Sequence, residues 1–151
     1  MRSNSLALSQ LINAPAEKVW SSIADWEGQS KWMLQTKVIR TSEISEGVGV
    51  TIEAFTGPLH RSYPRFKFLG LVDLMKVTAW DPPRRCDVIH YGKVLKGSGT
   101  FEVIALDSEH TSFQWSEEVI APWLLFILIK PFIWVGVKIS RARFARLLEL
   151  S

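Results

Sequence analysis

The sequence predicts an α+β fold in which a curved antiparallel sheet wraps around a long C-terminal helix. Three observations predict it. A short apolar run leads into two short helical patterns. Runs of β-branched and aromatic residues, separated by turn signals, then follow one another from residue 37 to residue 119. The chain closes on a helical stretch from Pro122 to about Leu150. One helix at the end must cover one sheet face, because both need burial. A strongly curved sheet does not close completely around a helix, and the gap beside the two short helices is the expected cavity.

Ser5–Ile12 reads as a first strand. Pro15 stands where a helix can begin, since its missing N–H costs nothing in the first turn. Glu17 places a carboxylate near that N-terminus. Val19, Trp20 and Ile23 share one helical face up to about Asp25. A second helical piece, Glu27–Met33, carries Trp32. Strands follow at Lys37–Glu43 and Val50–Phe55, with Gly47 and Gly49 between them. Residues 56–70 hold two prolines and several cations and read as a loop or a broken element. Leu71–Trp80 is a strand stopped by Asp81-Pro82-Pro83, since consecutive prolines cannot continue a ladder. Cys86–Lys93, Ser98–Leu106 and Thr111–Val119 complete the set, the last two joined by a hairpin at Asp107–His110.

Alternation assigns inner faces. Thr111, Phe113, Trp115, Glu117 and Val119 share one face of the last strand. The same rule puts Phe101, Val103 and Ala105 inside on its neighbour, with Gly97 and Gly99 at the rim. In Cys86–Lys93 it puts Cys86, Val88 and His90 inside and leaves Tyr91 and Lys93 in solvent. A bulge would flip these assignments. The final helix is apolar all round in its first half, as for a buried or membrane-touching segment. In its second half Val137, Ser140, Phe144 and Leu147 stack on one face, Lys138, Arg141 and Arg146 point elsewhere, and Gly136 invites a close neighbour.

The 151 residues suit a single domain spanning 1–151, with 47% hydrophobic and 22% charged residues. Seven tryptophans suit either a dense core or a cavity with indole walls. A net charge of +3 is too weak to argue for nucleic acid, and no stacking platform accompanies the basic stretch Lys138–Arg146. The single Cys86 excludes an intrachain disulfide and suits a reducing, cytoplasmic setting. No His/Cys spacing suggests a metal, no cofactor motif is present, and the N-terminus lacks the features of a signal peptide. In the apolar segment Val119–Val137 the longest uncharged run, Val119–Ile129, falls short of the roughly 20 residues of a membrane span.

The order of elements is similar to the helix-grip plan of the START/Bet v 1-like superfamily. At the residue level the chain resembles the bacterial polyketide cyclase/dehydrase and lipid-transport (SRPBCC) family. Ala14-Pro15-Ala16-Glu17-Lys18-Val19-Trp20, then Asp25-Trp26 and Trp32, carry the resemblance at the N-terminus. Val77–Arg85, Gly97–Phe101 and Thr111–Glu117 carry it further on. The resemblance implies the fold and an apolar ligand cavity. No shared catalytic motif defines the family, so it implies no catalytic residue.

Two inward polar residues are candidates for chemistry. A carboxylate on an apolar face loses hydration, which favours its neutral form unless it is paired. Glu117 is therefore a candidate general acid or ligand anchor, or else it pairs with Arg40, Lys76 or another cation. His90 is a candidate proton shuttle or ligand-orienting group, or an ordinary half-buried histidine. Whether the two meet is open. Candidate cavity-lining residues are Trp32, Trp80, Val88, His90, Phe101, Val103, Phe113, Trp115, Glu117, Ile133 and Val137, each with plain core as the alternative. Asp73 is placed with Arg61 or Arg65 at a cavity mouth, and Cys86 is a buried filler.

Three functions compete. The first is a carrier or sensor of a hydrophobic small molecule such as a lipid, isoprenoid or polyketide. The second is a cofactor-independent cyclase or dehydratase using Glu117 or His90. The third is a peripheral membrane or partner-binding module using the start of the last helix. It predicts that Trp123, Leu124, Phe126 and Ile127 are exposed, where the first two predict burial.

Overall fold

The computed structural model describes residues 2–150. Of these, the side chains of residues 2–4, 125, 126, 128, 129, 132 and 133 are not described, so the expectations for Phe126 and Ile133 lie outside the described residues. The elements are β1 (Arg2–Ile12), α1 (Ala16–Ala24), a 3-10 segment (Glu27–Lys31), β2 (Thr36–Arg40), β3 (Thr51–Thr56), β4 (Leu71–Asp81), β5 (Arg85–Tyr91), β6 (Lys96–Ala105), β7 (Thr111–Ala121) and α2 (Trp123–Glu149). The strands form one antiparallel sheet in the order β1-β7-β6-β5-β4-β3-β2. This is a helix-grip architecture, and no helix among the described residues is long and apolar enough to cross a membrane.

The first turn of α1 follows Pro15 and includes Glu17, which suits the positive end of the helix. Its buried face is Ala16, Val19, Trp20 and Ile23. The 56–70 connection is two short 3-10 turns, His60–Ser62 and Lys67–Leu69. Tyr63 between them is buried, stacks on Phe55 at 4.8 Å and hydrogen-bonds Glu53.

In β4 the register slips between Val77 and Ala79, a bulge centred on Thr78. Regular alternation from Met75 and Val77 would turn Ala79 inward. The extra residue turns Trp80 inward instead, opposite buried Cys86. Trp80 there meets Trp20 at 4.9 Å and Trp26 at 5.9 Å.

α2 behaves differently along its length. Its second half is locked down by buried Val137, Ser140, Phe144, Ala145 and Leu148. The Ser140 hydroxyl accepts from Leu34 N–H at 2.9 Å, Arg141 donates to Ser9 C=O at 2.7 Å, and Glu149 accepts from Asn13 N–H at 3.1 Å. Four residues beyond Phe144 comes Leu148, which takes the buried position expected for Leu147; Leu147 is exposed. In the first half, Trp123, Leu124, Ile127, Trp134 and Val135 are all exposed, contrary to the burial that a fully gripped helix requires. A Cβ added at Gly136 would meet open space rather than the expected close neighbour.

Candidate functional site

The inner face of the sheet carries two unlike clusters. Toward the ends of β6 and β7 that face the Asp107–His110 turn, aromatic rings interlock. Trp32 meets Phe144 at 4.4 Å and Trp115 at 6.0 Å, while Phe101 meets Phe113 at 5.4 Å and Trp115 at 5.3 Å. Val103 and Val137 are buried in the same core. Edge-to-face contacts of this kind add to the burial of large apolar area. The structure thus places Trp32, Phe101, Val103, Phe113, Trp115 and Val137 in packed core. Trp32 Nε1 is buried there without a hydrogen-bond partner. Ala105, expected inside, is exposed, because β6 ends there beside the turn.

One step further along the sheet the chemistry changes. His90 on β5 and Glu117 on β7 flank β6, opposite Gly97 and Gly99 respectively. Two strand spacings separate them, about 10 Å. Their side chains nonetheless meet, with His90 Nε2 2.8 Å from Glu117 Oε2. The inward positions of β6 between them are glycines, so nothing stands in the way. A Cβ at Gly99 would lie 2.7 Å from Glu117 Oε2, and one at Gly97, whose φ is +124°, would collide with the Glu118 carbonyl. Gly99 is buried in mid-strand rather than at a rim.

On the other side of His90, Nδ1 lies 2.8 Å from Asp73 Oδ1. Asp73 sits two residues before Met75, which pairs with His90, so it reaches the ring diagonally across β4 and β5. Trp115 Nε1 donates to Glu117 Oε1 at 2.8 Å. The result is a chain of polar groups, Asp73–His90–Glu117–Trp115, on a face otherwise lined by Met75, Val88 and Phe101. Side-chain exposure is 6% for His90, 19% for Asp73 and 16% for Glu117, so the carboxylates can be reached and the imidazole is enclosed.

Both ring nitrogens of His90 face carboxylate oxygens. Only the doubly protonated imidazolium can donate to both at once. Burial is the largest single influence and favours the neutral ring. The hydrogen bonds and charges of Asp73 and Glu117 together outweigh it and raise the His90 pKa to about 10. His90 is therefore charged at neutral pH, an imidazolium between two carboxyl groups on an apolar wall.

Two expectations are sharpened. Glu117 does pair with a cation, and that cation is His90 rather than Arg40 or Lys76. Asp73 faces His90, not Arg61 or Arg65; Arg65 lies over the Phe66 ring instead. Asp73 was the partner that reading the sequence missed. Alternation run back from Val77 through Met75 puts Asp73 on the inner face, which was the available signal. Buried Cys86 has its thiol pKa pushed up to about 12 by desolvation, fitting a filler rather than a nucleophile. Among the described residues no group of three or more His, Cys, Asp or Glu is arranged to hold a metal ion.

An open groove of about 700 Å³ lies elsewhere, between the 3-10 segment, β2 and His60–Arg61, reaching Arg143. It touches none of Asp73, His90 or Glu117. Its wall mixes Glu27, Lys31 and Lys37 with Met33 and Val38, and it is a solvated surface groove.

Solved structures share this architecture. A protein from Chromobacterium violaceum aligns with a TM-score of 0.71 at 17% identity, over 97% of this chain and 98% of that one. The Zhui aromatase/cyclase from Streptomyces sp. R1128 aligns at 0.67 and 15%, over 96% and 95%. A START superfamily protein from Mycobacterium smegmatis aligns at 0.67 and 13%, over 96% and 94%. At these identities the likeness is one of fold. No functionally curated protein matches the sequence. The profile of one family, described as polyketide cyclase / dehydrase and lipid transport, matches residues 4–147, and the chain belongs to that family.

Proposed function

We propose that this protein is a carrier or sensor that binds a hydrophobic small molecule between the sheet and α2, anchoring it by a hydroxyl on the Asp73–His90–Glu117 group. The observation that carries this reading is the His90 ring, with both nitrogens 2.8 Å from carboxyl oxygens on an apolar face. His90 has both N–H groups engaged. The unused lone pairs belong to the carboxylates, which accept hydrogen bonds and repel anions. The favoured ligand is therefore an apolar alcohol or phenol, such as an isoprenoid alcohol or a phenolic polyketide, in preference to a fatty-acid carboxylate. A cytoplasmic setting suits the free thiol of Cys86.

A cofactor-independent cyclase or dehydratase is the second reading. It draws on the same acid–histidine–acid group and on the similarity to an aromatase/cyclase. A general acid or base works best with a pKa near the operating pH. A histidine held near 10 is a weak acid at neutrality and has no free lone pair to act as base. This favours binding over turnover.

Binding of 1-naphthol and 1-naphthoate, followed by tryptophan fluorescence, tests the proposal. They share a ring system and differ in hydroxyl against carboxylate. The expected result is tighter binding of the naphthol, weakened in Glu117→Gln without loss of folding. Equal affinity for the two, or affinity unchanged by Glu117→Gln, would refute the anchor. Native mass spectrometry of freshly purified protein then identifies the resident molecule.

A further inference from the structure

The two ends of the sheet differ in charge. At one end lie the β3–β4 connection, the β5–β6 hairpin and the passage from β7 into α2. Their common placement follows from the pairs Thr56↔Leu71, Tyr91↔Lys96 and Lys96↔Ile120. The segments 57–70, 92–97 and 121–140 contain three, two and two Lys or Arg, and no Asp or Glu. At the opposite end the charge is mixed: segments 41–50 and 106–110 contain Glu43, Glu46, Asp107 and Glu109, and the β4–β5 turn adds Asp81, Arg84 and Arg85.

The basic end also exposes large apolar side chains. Phe68 is 80% exposed, and Leu69 and Val94 are exposed beside it in sequence or across the end of the sheet. In α2, Leu124, Ile127, Trp134 and Val135 are exposed at intervals of three and four residues with Pro131 between them, which puts them on one helical face. Lys138 continues that face, its Nζ 4.4 Å from the centre of the Trp134 ring. An apolar stripe carrying Trp and bordered by Lys is the composition of a helix that lies in a membrane interface.

We propose that this end docks on an anionic lipid bilayer, with the 123–135 half of α2 lying in the interface and Phe68 inserting beside it. Charge decides the occupant. A second copy on the same face would set these cations against themselves with no acid to answer them. A leaflet with anionic headgroups supplies the opposite charge, while its acyl boundary takes the apolar side chains. Asp73 lies two residues from the start of β4 and Glu117 four from the end of β7, so the candidate ligand site lies toward this same end of the sheet. The docking does not depend on which ligand, if any, that site holds.

Co-sedimentation with vesicles of phosphatidylcholine alone, and of phosphatidylcholine with phosphatidylglycerol, tests the proposal. The protein is expected to sediment with the anionic vesicles at low salt and to be released at high salt. Leu124→Asp/Ile127→Asp is expected to lower apparent affinity by about tenfold or more. Lys130→Glu/Lys138→Glu is expected to weaken binding to anionic vesicles specifically. These positions are exposed, so unchanged circular dichroism melts show that the fold is intact. Should a variant unfold, quenching of wild-type tryptophan fluorescence by brominated acyl chains, lost in Trp123→Phe/Trp134→Phe, reads insertion directly. No sedimentation at low salt would overturn the proposal, as would binding unchanged by Leu124→Asp/Ile127→Asp. Size-exclusion showing a dimer that this variant converts to monomer would also overturn it, assigning the face to self-association.

Discussion

Two stretches of one sheet face, a few residues apart, are held together by opposite means. Around Phe113 and Phe144, rings interlock, and the indole nitrogen of Trp32 is buried there without a hydrogen-bond partner. Around His90, four polar groups satisfy one another on a wall that is otherwise apolar. The aromatic cluster derives its stability from area and close packing, which tolerate no loss of volume. The polar group contributes little net stability, since desolvation offsets attraction, but losing one member strands the rest. Stability alone therefore explains the first cluster, and the second asks for a ligand. Trp115 belongs to both, with its ring against Trp32 and Phe101 and its N–H on Glu117.

The largest effect should come from the aromatic side. Phe144→Ala removes a fully buried ring and should cost about 3–5 kcal/mol in urea unfolding. A cost well below that would mean that open space, not packing, surrounds Phe144. Next comes His90→Asn, which leaves Asp73 and Glu117 facing each other without a cation. Breaking a fully buried pair costs about 3–5 kcal/mol. The cost here should be smaller, because both carboxylates keep some solvent contact.

Trp115→Phe keeps most of the ring and deletes the N–H. It should cost about 1–3 kcal/mol, the range for stranding a hydrogen-bonded buried group. A loss as large as that of Phe144→Ala would show that packing, and not the bond to Glu117, dominates at this shared residue.

The pH dependence is spread over several units. The His90 pKa lies near 10 in the folded chain and about 6.5 in the unfolded one, so folding binds the proton more tightly. The resulting stabilisation is fully present below about pH 6.5 and is lost as pH rises through about 10. Urea midpoints of the wild type should fall across that window more steeply than those of His90→Asn. Parallel curves would mean that His90 is not the titrating group. Two adjacent leucines give the sharpest contrast: buried Leu148→Ala should cost about 2–5 kcal/mol, and the smallest effect of all is exposed Leu147→Ala, no more than about 0.5.

Local sequence determined most of the architecture, because its signals are short-range. Proline pairs stop strands, Asp107–His110 closes a hairpin, and alternation from Thr111 to Glu117 names an inner face that the burial of Thr111, Phe113 and Trp115 matches. The same rule brought His90 and Glu117 to one side of the sheet. Their contact was beyond it, because it depends on strand order, on register, and on two glycines of β6 being the residues that lie between. Alternation within β4 turns Asp73 inward, but only the pairing of β4 with β5 brings it to His90, and Trp80 was placed by a bulge that is not written in β4 itself. The first half of α2 is apolar all round, and such a pattern does not say which neighbour covers it. Only the tertiary arrangement leaves Leu124, Ile127 and Trp134 uncovered, since burial depends on what else the chain brings alongside.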